Sequence, residues 1–154
     1  HPLDFHYVPS TMSGAVPLAL GLALAQPARE VLVYTGDGSL LMSLGCLVTV
    51  VDSGARNLTI VLLDNGVYEI TGGQRTAAAN NDVDFGDLAH AVGFRAVACA
   101  SDELDWRDRA REVLSLPGPR FIWLRTEPER EDYALDPPFA MQEQLTRFRA
   151  ALKS

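Results

Sequence analysis

The chain has 154 residues, 47% of them apolar, with 20 acidic residues against 13 basic ones and a formal net charge of −7. A chain of this size can bury about 68–70% of its unfolded surface in one domain, which argues against disorder, and no apolar run in it approaches the ~18 residues of a membrane span. Its net charge and its single lysine, Lys153, argue against nucleic acid, whose binding leans on Lys and Arg contacts to phosphate, and exclude a P-loop, which needs a lysine after its glycines.

His1–Pro9 reads as irregular, held out of helix by Pro2 and Pro9, and neither His1 nor His6 is assigned a role. Ser10–Gln26 reads as a turn followed by a helix, with Ser13 as N-cap and Pro17 in the first turn, where no backbone donor is missed. Ala15–Ala25 is apolar, but it is short and has no basic stretch before it, so it is a buried helix rather than a signal peptide. Gly14, Ala15, Ala19, Gly21, Ala23 and Ala25 make that helix thin enough to pack closely on a sheet or on a partner.

The central stretch runs strand, Gly-Asp-Gly, helix, strand, Asn-Gly. Val31–Thr35 and Leu58–Leu63 are short β-branched apolar runs that fit fully buried parallel strands. Between them Leu40–Val51 is long enough for a crossover helix capped by Ser39, with Leu41, Leu44, Leu47, Val48 and Val51 on one stripe. Such a βαβ unit is right-handed, and it brings Asp37 and Asn65 to the carboxyl edge of the sheet, where open α/β sheets bind ligands. Gly36 and Gly38 permit a sharp turn and a close approach of backbone to ligand. The following helix N-terminus favours an anion. Taken singly, Asp37 reads as a turn aspartate and Asn65-Gly66 as a tight turn. Taken together, one carboxylate, one amide oxygen and the backbone carbonyls after Asn65 are hard donors suited to Mg2+.

After Asn65 the stretch GVYEITGGQRTAAANND is poor in core residues and reads as a long functional loop or short helix over the ligand edge. Val83–Gly93 reads as a helix capped by Asp82 or Asp84, packing Phe85, Leu88, Ala89 and Val92, with His90 at the surface. Phe94–Ala98 is the next strand. Ser101-Asp102-Glu103 opens a solvated helix running to about Leu116. Pro117-Gly118-Pro119 is a turn, Phe121–Arg125 a buried strand, and Glu127–Pro138 an extended connection. Phe139–Lys153 is a final amphipathic helix with Leu145, Phe148 and Leu152 on one stripe. Cys46 and Cys99 belong to no CxxC pair, which leaves iron–sulfur and structural zinc sites unsupported and reads as buried free thiols in a reducing cytoplasm.

Gly36-Asp37-Gly38, a gap spanning residues 39 to 64, and then Asn65 resembles the signature of enzymes that use thiamine diphosphate (ThDP). The flanking GDGSLLMSLG, LDNGVYEITGGQ and STMSGAVPLALGLALAQP resemble two-subunit 2-oxo acid decarboxylases, in particular the β-type subunits of sulfopyruvate and phosphonopyruvate decarboxylases, over about residues 5 to 125. The resemblance implies an α/β fold, a three-layer doubly wound parallel sheet, with residues 1–154 as a single diphosphate-binding domain ending in a helix at about 139–153.

The resemblance also implies a division of labour at the site. Mg2+ would be held by Asp37, Asn65 and the backbone carbonyl of Val67. Gly36, Asp37, Gly38 and Ser39 would meet the diphosphate. Within Ser10–Met12, which includes Thr11, a backbone carbonyl would accept from the aminopyrimidine, and Met12 would support the bent shape of the cofactor. Tyr68–Ile70 would pass near its thiazolium end. Relatives often read Met-Gly where this chain has Met12-Ser13, and GGQPT where it has Gly72-Gly73-Gln74-Arg75-Thr76. Arg75 either holds the anionic end of a 2-oxo acid bidentately or is solvated surface charge, and Glu69 is open in the same way as a proton-transfer group.

The glutamate that activates the aminopyrimidine belongs, in such enzymes, to a separate pyrimidine-binding domain. No such domain fits within these residues, so the chain is expected to act as a cytoplasmic carboxy-lyase subunit only when joined to a pyrimidine-binding partner, as α2β2. Related subunits carry a further strand and helix before this point, so a truncated or unusually short N-terminus is also expected. Two alternatives stand beside this: a ThDP-dependent carboligase resembling acetolactate synthase, and a non-catalytic ThDP- or nucleotide-binding module.

Overall fold

The computed structural model describes residues 1–6, 12–128 and 139–153, and the chain divides into two compact units. The larger, Met12–Glu129, is an α/β unit built on a four-stranded sheet, β1 (Val31–Gly36), β2 (Leu58–Asp64), β5 (Ala96–Ala100) and β6 (Arg120–Arg125), in the order β1-β2-β6-β5. Every pair in it is parallel. Alternate residues of the strands feed two cores, one on each face. Val31, Val33, Leu58, Ile60, Leu62, Phe121 and Trp123 meet α1 (Ala15–Ala25), α3 (Cys46–Ser53) and α5 (Phe85–Val92) on one side. Val61, Ala96, Ala98 and Ile122 meet Trp106 and Val113 of α6 (Glu103–Ser115) on the other. Helices therefore cover both faces, as expected of a doubly wound sheet.

Local chemistry explains most of the element ends. Asp84 caps α5 by accepting from the Asp87 N–H, and Asp102 caps α6 by accepting from the Asp105 N–H. Gly54 and Gly93 end α3 and α5 in the left-handed conformation, which glycine adopts without steric cost. Aromatic rings knit the larger core, with Phe85 edge-on to Trp123 at 5.8 Å and Phe94 edge-on to Phe121 at 5.6 Å. The buried Arg120 spends its guanidinium on Glu30, Thr59 and the Leu116 carbonyl. The Asn57 amide donates to the carbonyls of Ala23, Gln26 and Arg29, tying the C-terminus of α1 to the start of β2.

Four local expectations are corrected. The crossover is not one helix over Leu40–Val51 but α2 (Asp37–Leu41), a turn, and α3. Of the expected stripe Leu47 is buried and Leu41, Leu44 and Val51 pack against the core, but Val48 faces outward, and Leu40 and Val50 join the buried side. The turn is pinned by the Ser43 hydroxyl, which donates to the Ser13 carbonyl at 3.1 Å. β1 is buried on one face only, leaving Leu32 and Tyr34 exposed, because it ends the sheet among the described residues and α6 covers the opposite end. Ser13 does not cap α1. Gly14 occupies that position without a side-chain bond, and Ser13 takes a left-handed backbone at φ +74°. Ser39 does not cap the crossover helix, because α2 already begins at Asp37, after Gly36.

The smaller unit joins His1–Thr11 with Arg130–Ser154. Its described part is α7 (Met141–Leu152) with residues 1–6. Phe5 packs on Phe148 at 5.4 Å, and the His6 N–H donates to the Gln144 side chain, which in turn donates to the Phe139 carbonyl. Gln144 is the buried position of this helix, and of the expected stripe Phe148 and Leu152 are half-buried while Leu145 is exposed. A glutamine sits there because hydrogen bonds meet its amide. Among the described residues no helix is long and apolar enough to cross a membrane.

Candidate functional site

The carboxyl ends of β1 and β2 present the site. β1 runs out at Gly36, and Asp37 begins α2 with only 1% of its surface exposed. Burial pushes the Asp37 carboxyl above its ordinary range. The bond from Thr76 opposes that shift, and the charge of Asp64 adds to it. A nearby cation would offset both the burial and the repulsion, so the electrostatics of this corner favour one. Thr76 Oγ1 donates to Asp37 Oδ2 at 2.7 Å, and the Gly38 N–H also favours the ionised form.

The two glycines around Asp37 do different work. Both have ordinary negative-φ backbone, so neither is needed for a left-handed turn. A Cβ on Gly36 would meet nothing nearer than the Leu63 carbonyl at 4.0 Å. A Cβ on Gly38 would collide with the Tyr68 ring, so the second glycine is required by the packing of that side chain.

From β2 the chain turns at Asn65-Gly66. Asn65 Oδ1 accepts the Val67 N–H at 3.0 Å, and Gly66 is left-handed at φ +72°, a side-chain-closed turn of the kind Asn favours. β3 (Val67–Tyr68) then pairs antiparallel with β4 (Gln74–Arg75) around a short 3-10 turn, Glu69–Thr71. This ribbon returns the chain so that the Thr76 N–H donates to the Gly66 carbonyl at 2.9 Å. Thr76 also caps α4 (Ala77–Asn80), accepting the Ala79 N–H. The stretch expected as a long loop or short helix thus contains a short helix, α4, preceded by a closed two-stranded ribbon.

The fold brings Gly36, Asp37, Gly38, Asn65, Val67 and Tyr68 to one end of β1 and β2. Ser39 lies there too, and its hydroxyl accepts the Ser13 N–H at 2.9 Å, tying the half-buried Met12 segment to α2. Ser10 and Thr11 lie outside the described residues. Glu69, Ile70 and Arg75 sit on the exposed rim of the ribbon, with Ile70 70% exposed and Arg75 Nη2 donating to the Ala79 carbonyl at 2.7 Å. Among the described residues no three or more His, Cys, Asp or Glu side chains group as metal ligands. The oxygens at this corner are the carboxylates of Asp37 and Asp64, the Asn65 amide oxygen and backbone carbonyls.

Two residues here were not singled out from sequence. Thr76 could have been found as a Thr directly before a run of helix formers, an N-cap signal. Asp64 could have been found as an acidic residue closing an apolar strand. It accepts the Trp123 indole N–H at 2.9 Å, and the Arg125 guanidinium lies over that ring at 4.3 Å.

Residues 2–123 match the family model of the thiamine pyrophosphate enzyme C-terminal TPP-binding domain. The chain is 40% identical over 144 residues to phosphonopyruvate decarboxylase of Streptomyces viridochromogenes, covering 94% of this chain and 36% of that protein. It is 40% identical over 126 residues to the sulfopyruvate decarboxylase β subunit of Methanothermobacter thermautotrophicus, covering 82% of this chain and 64% of that subunit. A solved structure provisionally assigned as a thiamin diphosphate-dependent enzyme, from Mycobacterium smegmatis, superposes with a TM-score of 0.65 at 25% identity, covering 77% of this chain and 23% of that one. The chain therefore spans about a third to two thirds of the length of these curated relatives.

Proposed function

The chain belongs to the thiamine pyrophosphate enzyme family, as its C-terminal TPP-binding domain, and from that premise we propose that it is the diphosphate- and Mg2+-binding part of a ThDP-dependent 2-oxo acid decarboxylase. The observation that carries the proposal is the buried Asp37 carboxylate joined through Thr76 to the Asn65–Val67 turn. Asp37, one Asn65 amide oxygen and the Val67 carbonyl form a hard-oxygen set with a single carboxylate. Mg2+ accepts that composition when phosphate oxygens and water complete its shell. Accepting the Val67 N–H engages only one of the two lone pairs on Asn65 Oδ1.

When bound, ThDP supplies the nucleophilic carbon and the electron sink for loss of carbon dioxide, and the protein supplies binding and orientation. Here Asp37, Asn65 and Val67 would hold the metal that offsets the diphosphate charge on an acidic chain. Within Ser10–Met12 a backbone carbonyl would accept from the aminopyrimidine and Met12 would support the bent cofactor, while Tyr68 and Ile70 would flank its thiazolium end. Arg75 keeps guanidinium donors beyond the one given to Ala79 and would take the substrate's anionic end. Glu69 would move a proton on the same rim. The pyrimidine-binding domain would come from outside these residues, and likeness to a β subunit favours a separate subunit in an α2β2 assembly.

Native mass spectrometry of the untagged protein from its own cells tests this. The expected result is a hetero-oligomer carrying ThDP and Mg2+ that releases carbon dioxide from sulfopyruvate, phosphonopyruvate or another small 2-oxo acid, with both cofactor retention and turnover lost in Asp37→Ala. A protein that takes up no ThDP in the presence of Mg2+ would refute the proposal. Products joined to a second carbonyl compound would move it from decarboxylation to carboligation.

A further inference from the structure

Resting on the metal-site proposal above, we infer that Thr76 is the positioning residue of that site, orienting the Asp37 carboxylate and locking the two ligand-bearing segments to each other. The segments are far apart in sequence. Asp37 lies where β1 enters α2, and Asn65–Val67 lies where β2 enters β3. Thr76 bonds to both: its hydroxyl donates to Asp37 Oδ2 at 2.7 Å, and its backbone N–H donates to the carbonyl of Gly66, between the two proposed ligands of the second segment, at 2.9 Å.

An N-cap role alone does not account for this arrangement. Capping uses a side-chain oxygen as an acceptor only, and Thr76 does serve α4 that way, accepting the Ala79 N–H at 3.2 Å. A hydroxyl has one proton to give, and here it goes to a carboxylate, at the short distance of a charge-assisted bond. Thr76 is fully buried and Asp37 nearly so, so bulk water is poorly placed to replace the donor. The bond fixes the rotation of the carboxyl group about its own axis, and hence the direction in which its oxygens can meet a cation. Partners of this kind behind a metal ligand typically affect metal affinity by about 10- to 100-fold when removed.

The test compares wild type, Thr76→Val and Thr76→Ser in the assembled protein. Mg2+ is titrated calorimetrically at saturating ThDP, and the electron paramagnetic resonance spectrum is recorded with Mn2+ in place of Mg2+. The valine variant, which keeps the shape but loses the proton donor, is expected to raise the Mg2+ Kd by about 10- to 100-fold and to alter the Mn2+ spectrum. The serine variant is expected to restore both. A spectral change at the bound ion is not something loss of a helix cap alone would produce. Wild-type Mg2+ affinity and an unchanged Mn2+ spectrum in Thr76→Val would overturn the inference, as would a serine variant as weak as the valine one. If Thr76→Val does not fold, Thr76→Cys, with its weaker donor, must show an intermediate loss, and wild-type affinity there overturns the inference. If the wild-type protein itself takes up no ThDP with Mg2+, the proposed function fails, and this inference fails with it.

Discussion

Replacing Gly38 with alanine places a methyl group where the Tyr68 ring lies, and the sign of its effect depends on that ring. The added Cβ would overlap the Tyr68 ring edge and lie 3.2 Å from Cζ. Tyr68 is half-buried, so it can swing aside only by giving up packing, at a cost of about 1–3 kcal/mol for an overpacked contact. Against this, alanine is favoured over glycine inside a helix by up to about 1 kcal/mol, and Gly38 is the second residue of α2. The net expectation for Gly38→Ala is a loss of about 0.5–2 kcal/mol, or a few degrees in Tm for a chain of this length. In a Tyr68→Ala background the overlap disappears and the same change should be neutral or stabilising. Gly36→Ala, with open space around its Cβ, should be close to neutral sterically in either background. Urea denaturation of the two single mutants and the double mutant, analysed as a thermodynamic cycle, measures the coupling directly. Gly38→Ala effects that agree in the two backgrounds within about 0.5 kcal/mol, the scatter of independent sites, would show that Tyr68 is not what makes the second glycine necessary.

Ser13→Gly should stabilise the protein by about 0.5–1 kcal/mol, because glycine relieves the left-handed penalty at a smaller cost in unfolded-chain entropy. Both bonds that Ser13 makes to α2 and its turn come from its backbone and survive the change, and a fall in the urea midpoint would contradict this account. Burial pushes the thiols of Cys46 and Cys99 above their ordinary value of 9.0, and the Asp84 charge adds to the rise at Cys99. Because the folded value is the higher one, the stability these thiols contribute is complete below about pH 9 and is lost as pH rises through the folded value. The urea midpoint should therefore fall above pH 9. Native protein at pH 8 should react with iodoacetamide more slowly than the urea-unfolded chain, and equal rates would refute the burial argument.

Sequence exposed the central βαβ unit because buried parallel strands are apolar throughout and the Gly-Asp-Gly to Asn65 spacing is local to them. It also placed Asp37 and Asn65 on one edge, since each directly follows a strand. The break in the crossover helix was not visible, because nothing in the periodicity of Leu40–Val51 reveals that Ser43 bonds across to Ser13. The half-exposed face of β1 depends on its position at an end of the sheet formed by the described residues, and its own apolar residues do not encode that position. Gln144 did not show beside Phe148 and Leu152 on the buried side of α7 for a related reason, since a buried amide met by hydrogen bonds looks like a surface residue when only hydropathy is read. Thr76 was overlooked because its partners, Asp37 and Gly66, become neighbours only once the ribbon has closed.

The Trp123–Asp64 bond has a consequence for how the molecule can be watched. The indole N–H is held by the residue that immediately precedes Asn65, and a guanidinium lies over the same ring. Indole emission responds to hydrogen bonding and to nearby charge. Any shift of the Asp64–Val67 corner therefore passes to a chromophore already built into the core, and with the chain's other tryptophan, Trp106, replaced by phenylalanine, the indole signal monitors the end of β2 without an attached dye.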